Sequence, residues 1–229
     1  MLTKQKLEAY LSRCMQSAAD FAEIFEQFEE YEMLETLDLK VEKASRKVTA
    51  GLGVRLYRDV QSVYGYTNDA SEEAILALVD DLRAAIGEAE EGADKKAVEL
   101  TRVEYENRNP VRVDYREVSL DDKAELIFRA ERAAKAADER IVKTQGKLLN
   151  VREEVQISNS EGRLVSDVRV RTRMMLDAYA KENDVFMQGG DRPGAGKGLE
   201  FFEEKTPEEI GKEAARQAIV MLSARDCPS

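Results

Sequence analysis

Apolar residues recur with a helical period at the start of the chain and then change to a period of two. Residues 4–17 carry apolar side chains at three- and four-residue spacing, which is typical of an amphipathic helix. In residues 21–66 apolar and polar positions alternate, which predicts a run of antiparallel strands. A second helix is predicted after Ser71, because a serine is well suited to cap a helix followed by Glu72 and Glu73.

The same order of patterns recurs in the second half of the chain. Ser119 is placed to cap a helix that runs to about Asp138, and three further β segments follow, divided by a turn at residues 159–162. Thr206 precedes Pro207 and stands three residues before Glu209, the signature of a capped helix start. The chain therefore ends in a predicted final helix.

The two series of patterns predict an α+β fold with antiparallel sheets and helices packed on one side. We expect two related helix–strands–helix units, the first in residues 1–92 and the second in residues 119–229. Residues 93–118 are expected to connect them, and residues 87–96 of this region are small and charged, as in a solvated connector. Together the units are expected to form one amino-terminal domain from which a catalytic domain is absent.

The net charge of the chain disfavours two classes of binding partner, nucleic acids and membranes. The 229 residues carry a net charge of -11, and such an acidic surface repels both phosphate backbones and anionic lipid headgroups. No long apolar run is present, and five of the first twenty residues are charged. We therefore expect neither a leader peptide nor a membrane span. The expected location is the cytoplasm, with no nucleic-acid or membrane partner.

The chain is poor in the residues that hold metals or act as nucleophiles. It contains no histidine, which excludes a Ser-His-Asp triad and any histidine-containing zinc site within these residues. Cys14 and Cys227 lie far apart and match no redox or metal-ligand spacing. We therefore predict no catalytic residue, no metal ligand and no cofactor in this chain.

A glycine-rich segment at residues 189–198 resembles a phosphate-binding loop only superficially. The glycine that should begin the motif falls on Asp191, and Gly198 stands where a serine or threonine should follow the lysine. We interpret the segment as a mobile connector between a strand and a helix, or as a loop at the edge of a substrate cleft. Its candidate cleft residues are Gly189, Gly190, Arg192, Gly194 and Gly196.

Other motifs have mainly structural interpretations. Gly51 and Gly53, followed by Arg55, lie inside a predicted strand and indicate a bulge or a place where another backbone comes close. A row of three arginines alternates with apolar residues near position 170 and indicates a solvated, salt-bridged sheet face. The acidic stretches at residues 23–35 and 88–94 are likewise interpreted as solvated faces rather than catalytic carboxylates.

Short matches spread along almost the whole chain resemble one known family. They are DFAEIF at 20–25, GLGVR at 51–55, YGYTND at 64–69, ADERI at 137–141, SNSEG at 158–162, GLE at 198–200 and EAARQA at 213–218. In this fixed order they resemble the TldD/PmbA family, once described as modulators of DNA gyrase and regarded as zinc peptidases. The details are more similar to the TldD branch than to PmbA.

The resemblance implies a function for a longer protein. The family binds zinc through a His-Glu-x-x-x-His helix, which would lie just beyond position 229, so no metal or catalytic residue can be transferred to this chain. It implies a zinc metallopeptidase, in which this part supplies scaffold, dimer contacts and part of a peptide cleft. The implied partners are its own catalytic carboxy-terminal half, a second copy or a family paralogue, and a peptide substrate.

Two other functions remain open from the sequence. A free-standing interaction module could capture extended peptides at a sheet edge without cutting them. A nucleotide- or nucleic-acid-binding role is disfavoured by the failed loop spacing and the acidic charge.

Overall fold

The computed structural model describes residues 1–89 and 97–224. The helices within these residues are α1 (Lys4–Cys14), α2 (Glu72–Ile86), α3 (Leu120–Ala137), α4 (Phe201–Glu204) and α5 (Pro207–Leu222). The strands are β1 (Phe21–Leu37), β2 (Lys40–Arg58), β3 (Gln61–Thr67), β4 (Thr101–Arg102), β5 (Ile141–Asn159), β6 (Arg163–Glu182), β7 (Val185–Asp191) and β8 (Gly194–Ala195). A short 3₁₀ helix lies at Tyr115–Glu117.

The predicted helix starts are confirmed by their caps. The side-chain oxygens of Ser71 and Ser119 accept hydrogen bonds from the backbone amides at the third helical positions of α2 and α3. Thr206 and Glu209 form a complete capping box at the start of α5, with Pro207 in its first turn. These starts could be predicted because each cap involves only neighbours along the chain.

The strands confirm the α+β prediction with an antiparallel sheet. They are hydrogen-bonded in the order β3-β2-β1-β5-β6-β4, and both β7 and β8 pair with β6. The pairs β2–β3, β6–β7 and β6–β8 are antiparallel, whereas β4 runs parallel to β6 over a two-residue register. The order helix, strands, helix recurs in the two halves of the chain, as the patterns predicted.

The chain divides into two compact units built from interleaved segments. The first comprises Met1–Glu29, Val48–Asn107 and Glu153–Val168, and the second comprises Glu30–Lys47, Arg108–Arg152 and Arg169–Ser229. The boundaries fall inside β1, β2, β5 and β6, so each of these strands contributes residues to both units. The division at residues 92 and 119 stays a prediction, and the part of the predicted solvated connector at residues 90–96 lies outside the described residues.

Each unit has its own apolar core. In the first unit α1 packs on α2, which packs on β3, and the core includes Leu11, Ile24, Leu56 and Ile75. In the second unit α5 packs on both α3 and β7, and the core includes Ile127, Leu148, Met174 and Ile210. Burial of these side chains supplies the main driving force for folding of each unit.

The acidic stretch at residues 23–35 is not simply a solvated face. Glu26 and Glu30, both in β1, are buried, and each is hydrogen-bonded to polar side chains of its own unit. The solvated interpretation is therefore wrong for these two residues. A charge pattern along one strand does not reveal which neighbouring side chains will cover it, because those neighbours are distant in sequence.

Within the described residues, every helix is too short or too polar to cross a membrane.

Candidate functional site

The first part of the glycine-rich segment is a strand, so the loop interpretation is wrong there. Gly189 and Gly190 belong to β7, where they pair with Ala178 and Asp177 of β6. A Cβ atom on Gly189 would lie 2.1 Å from the backbone nitrogen of Ala218. The glycine is needed because the backbone of α5 lies directly on the strand, and no side chain fits between them.

The neighbouring residues form an ion pair rather than a free cationic site. The Arg192 guanidinium is paired with the Asp177 carboxylate, and a side chain on Gly190 would collide with both groups. Gly194 lies in β8 opposite Arg173, and Gly196 follows in a bend, where an added Cβ atom would lie 4.0 Å from the Val170 carbonyl oxygen. The segment therefore combines a strand, a second short strand and a bend.

Gly189, Gly190 and Arg192 line an open depression of about 500 Å³ in the second unit. Its other lining residues are Gln188 on β7 and a run on α5, namely Arg216, Gln217, Val220 and Met221. Val220 and Met221 are 55% and 43% exposed, which leaves an apolar strip beside the amide of Gln217. Apolar surface beside amide groups suits an extended peptide better than a phosphate, because both arginines are already paired with carboxylates.

Gly194 and Gly196 do not line this depression, so the structure brings together only part of the predicted cleft set. The role of all five residues in binding a substrate stays a prediction. Gln217 and Val220 were not singled out from the sequence, whereas the apolar pattern of the final helix predicts that Met221 faces inward. That prediction is wrong, because Met221 is 43% exposed. Residues 217, 220 and 221 recur at three- and four-residue spacing on the exposed side of α5.

The motif containing Gly51, Gly53 and Arg55 lies in β2 and belongs to the first unit. The Tyr64 ring of β3 covers Gly53, where an added Cβ atom would lie 2.8 Å from the tyrosine hydroxyl oxygen. The Arg55 guanidinium lies 5.0 Å from the centroid of the same ring, at the distance of a cation–π contact. The glycine thus provides room for an aromatic side chain at this position, rather than for another backbone.

A smaller depression of about 180 Å³ lies at the start of this motif, lined by residues that include Gly51 and Glu26. The Glu26 carboxylate accepts hydrogen bonds from the backbone amide of Leu2 at 2.8 Å and from the side-chain amide of Gln156 at 2.7 Å. One carboxylate oxygen therefore holds Leu2, and the other holds the Gln156 amide, which also donates to the Leu2 carbonyl oxygen. This arrangement favours a structural role over acid–base chemistry.

A buried polar cluster in the second unit was missed by the sequence analysis. Tyr115 donates a hydrogen bond to Glu30 at 2.9 Å, and Arg46 forms an ion pair with the other oxygen of Glu30. The ammonium group of the buried Lys123 lies 2.7 Å from a carboxylate oxygen of Glu32. Burial acts to raise the pKa of Glu30, but the hydrogen bonds from Arg46 and Tyr115 outweigh it and hold the pKa below its usual range.

The described residues do not fit a zinc ion. Residues 1–89 and 97–224 contain no group of three or more histidine, cysteine or carboxylate side chains placed to hold a metal. Cys14 is buried in the first unit, and burial raises the pKa of its thiol to about 12, which makes it a poor ligand and nucleophile. Cys227 lies outside the described residues.

Two family models match the chain in succession. The model described as PmbA/TldA metallopeptidase domain 1 matches residues 22–93, and the model described as PmbA/TldA metallopeptidase central domain matches residues 114–222. The chain belongs to the PmbA/TldD metallopeptidase family. The family assignment made from the short sequence matches is thereby confirmed.

Individual PmbA/TldD relatives agree with this assignment. The metalloprotease TldD homolog of Haemophilus influenzae is 26% identical over 92% of this chain and 44% of its own length. The metalloprotease PmbA of Escherichia coli O157:H7 is 29% identical over 96% of this chain and 49% of its own length. The chain thus spans about half the length of the curated relatives that it matches.

Solved structures show the same fold. A protein from Thermotoga maritima, described as a modulator of a DNA gyrase, gives a TM-score of 0.71 at 17% identity and covers 91% of this chain and 46% of its own. TldE from Thermococcus kodakarensis gives 0.65 at 16% identity and covers 94% of this chain and 47% of its own. At such identities the likeness supports the fold alone.

Proposed function

We propose that this chain is the amino-terminal, non-catalytic part of a TldD/PmbA-like zinc metallopeptidase that hydrolyses peptides. The observation that carries the proposal is the ordered match of domain 1 and the central domain to a chain without a single histidine. A zinc centre that activates water needs protein ligands with an open coordination position. In this proposal, those ligands come from residues other than the 229 of this chain.

The proposed contribution of this chain is scaffold, dimer contacts and part of a peptide cleft. The depression between β7 and α5 supports the last of these, because it offers an exposed apolar strip beside hydrogen-bonding amide groups in a rigid setting. Gly189 keeps this setting rigid, since it lets the strand and the helix approach at backbone distance. We propose that the peptidase acts in the cytoplasm as a homodimer or with a family paralogue.

Photocrosslinking tests the cleft assignment in a longer polypeptide that carries the zinc signature. A photoreactive phenylalanine analogue at Val220 is expected to crosslink an unstructured peptide substrate when zinc is removed to prevent turnover. The control is the same analogue at Val142, which is comparably exposed on β5 and does not line the depression. Equal crosslinking at the two positions, or none at Val220, would contradict the assignment.

A further inference from the structure

The first part of β2, residues Lys40–Lys47, presents an open strand edge in the second unit. The strand has β1 and β3 as its neighbours, and β3 pairs only with residues from Leu52 to Arg58. On the side of β3, therefore, Lys40–Lys47 has no partner strand within residues 1–89 and 97–224. The backbone N–H and C=O groups that point to this side are available for another strand.

Both faces of this stretch are also uncovered. Apart from the half-buried Ser45, every residue of the stretch is exposed, including Val41. At about 3.4 Å per residue the open edge is roughly 27 Å long, which is enough for a full strand of ordinary length to pair with it. The edge is thus accessible from the side and from both faces.

The charge of the edge is opposite to that of the whole chain. Lys40, Lys43, Arg46 and Lys47 provide four cations against the single carboxylate of Glu42, in a chain whose net charge is -11. Arg46 is paired with Glu30, whereas the three lysines form no ion pair within the described residues. Successive strand residues point to opposite faces, so Lys43 and Lys47 share one face and Lys40 lies on the other.

Lysines on an open edge commonly serve to prevent aggregation, and that role also restricts what can bind. Two copies of this edge brought together would place eight cations beside two carboxylates, which disfavours a second copy of the chain as the occupant. An added strand with carboxylates on both faces would instead meet unpaired lysines on each face. The stretch contains no aromatic residue on which a nucleic-acid base could stack.

We propose that the edge of Lys40–Lys47 binds an extended, acidic peptide segment as an added β-strand. Backbone hydrogen bonds to the open edge supply the affinity, and Lys40, Lys43 and Lys47 select for carboxylates in the partner. This site lies outside every residue that lines the depression between β7 and α5. It does not depend on the proposed peptidase function, because the edge belongs to this chain alone.

Fluorescence anisotropy with the full 229-residue chain tests the charge selection. The probe is a labelled eight-residue peptide in which glutamate alternates with valine and threonine. The charge-reversed variant Lys40→Glu/Lys43→Glu/Lys47→Glu is expected to bind it at least about tenfold more weakly. The matched control Lys4→Glu/Lys181→Glu/Lys212→Glu changes the net charge equally and is expected to retain the affinity of the unaltered chain.

Several results would overturn the charge selection. These are no binding of the acidic probe by the unaltered chain, equal weakening in the two triple variants, or equal binding of a peptide with lysine in place of glutamate. Tighter binding of an oligothymidylate of equal charge than of the acidic peptide would show that the edge binds nucleic acid rather than a peptide. Circular dichroism monitors folding, and Lys→Gln at the same three positions repeats the test if the reversed variant does not fold.

Two N-methylated versions of the probe test strand addition itself. In an added strand only alternate amides point to the edge, so methylation in one register should abolish binding while the other register leaves it nearly intact. Equal affinity of the two methylated peptides would show that charge attraction acts without strand pairing, and would overturn the proposal.

Discussion

Gly189 of β7 lies so close to α5 that a Cβ atom on it would be 2.1 Å from the backbone nitrogen of Ala218 and 2.6 Å from the backbone oxygen of Ala214. The neighbouring atoms belong to the helix backbone and cannot move aside as a flexible side chain could. The contact between the strand and the helix therefore depends on the absence of a side chain at this position.

Gly189→Ala is expected to lower the free energy of unfolding by about 1–3 kcal/mol or more, because α5 must shift to admit a methyl group. The matched control is Gly196→Ala, where the nearest atom to an added Cβ is the Val170 carbonyl oxygen at 4.0 Å. The control is expected to change stability by no more than about 0.5 kcal/mol. Urea unfolding measures both, and equal effects of the two substitutions would contradict the packing account.

Hydrogen exchange tests the corrected structure of the glycine-rich segment. The pairing of Gly189 and Gly190 with β6 predicts slow exchange for those amides of residues 188–190 that donate to β6. Gly196 and Lys197 lie in a bend between β8 and α4 and are expected to exchange faster. Uniformly fast exchange across residues 188–197 would restore the mobile-loop interpretation.

Glu131 of α3 is expected to make stability depend on pH. Its buried carboxylate accepts hydrogen bonds from the Thr36 hydroxyl and the Leu39 amide, both at 2.6 Å. Burial raises the pKa of Glu131, and the charge of Asp38 adds to this, while the two hydrogen bonds and Lys135 oppose it. A raised folded-state pKa gives stability that is present below the unfolded pKa and is lost as pH rises through the folded value.

Glu131→Gln removes this titration, so the variant should gain stability relative to the unaltered chain as pH rises from about 4 to about 7. Denaturant unfolding across this range measures the difference. Glu125→Gln, an exposed position on the same helix, is the control and should show a smaller trend. A difference between Glu131→Gln and the unaltered chain that is constant with pH would show that Glu131 does not titrate in this range.

Exposed apolar residues of the second unit predict self-association of the 229-residue chain. Val185 and Phe186 are each more than two-fifths exposed and lie outside the lining of the depression, and exposed apolar patches commonly mark contact surfaces. Sedimentation should show a dimer or a larger species, and Val185→Lys/Phe186→Lys should weaken it. Val142→Lys, at another exposed apolar position, is the control. A monomer at high concentration would count against the dimer contacts proposed for this chain.

The elements with local signals could be predicted from the sequence, whereas the site could be predicted only in part. The starts of three helices could be predicted from their cap residues, because a cap bonds to residues two or three positions away. These residues are Ser71, Ser119 and Thr206. The strand conformation of Gly189 and Gly190 could not be predicted, because glycines show no apolar period. The requirement for glycine at position 189 comes from Ala214 and Ala218 of α5, more than twenty residues later, and at position 190 from the side chains of Asp177 and Arg192.

Buried charged side chains are a second feature of the fold that could not be predicted from the sequence. Nothing near Glu30 in sequence indicates that the Tyr115 hydroxyl, contributed by a segment 85 residues away, will donate to its carboxylate. The open edge of β2 was equally hidden, because it depends on where β3 stops pairing. Side-chain alternation reports which face of a strand is buried, but it does not report whether the edge has a partner.

Peptide cleavage tests the central claim most directly. An unstructured peptide library is incubated with the 229-residue chain and, separately, with a longer polypeptide in which the chain is followed by the zinc signature, each with and without chelator. Mass spectrometry should detect no cleavage by the chain alone and chelator-sensitive cleavage by the longer polypeptide. Robust, chelator-resistant cleavage by the 229-residue chain would contradict the account, as would an inactive longer polypeptide with zinc bound.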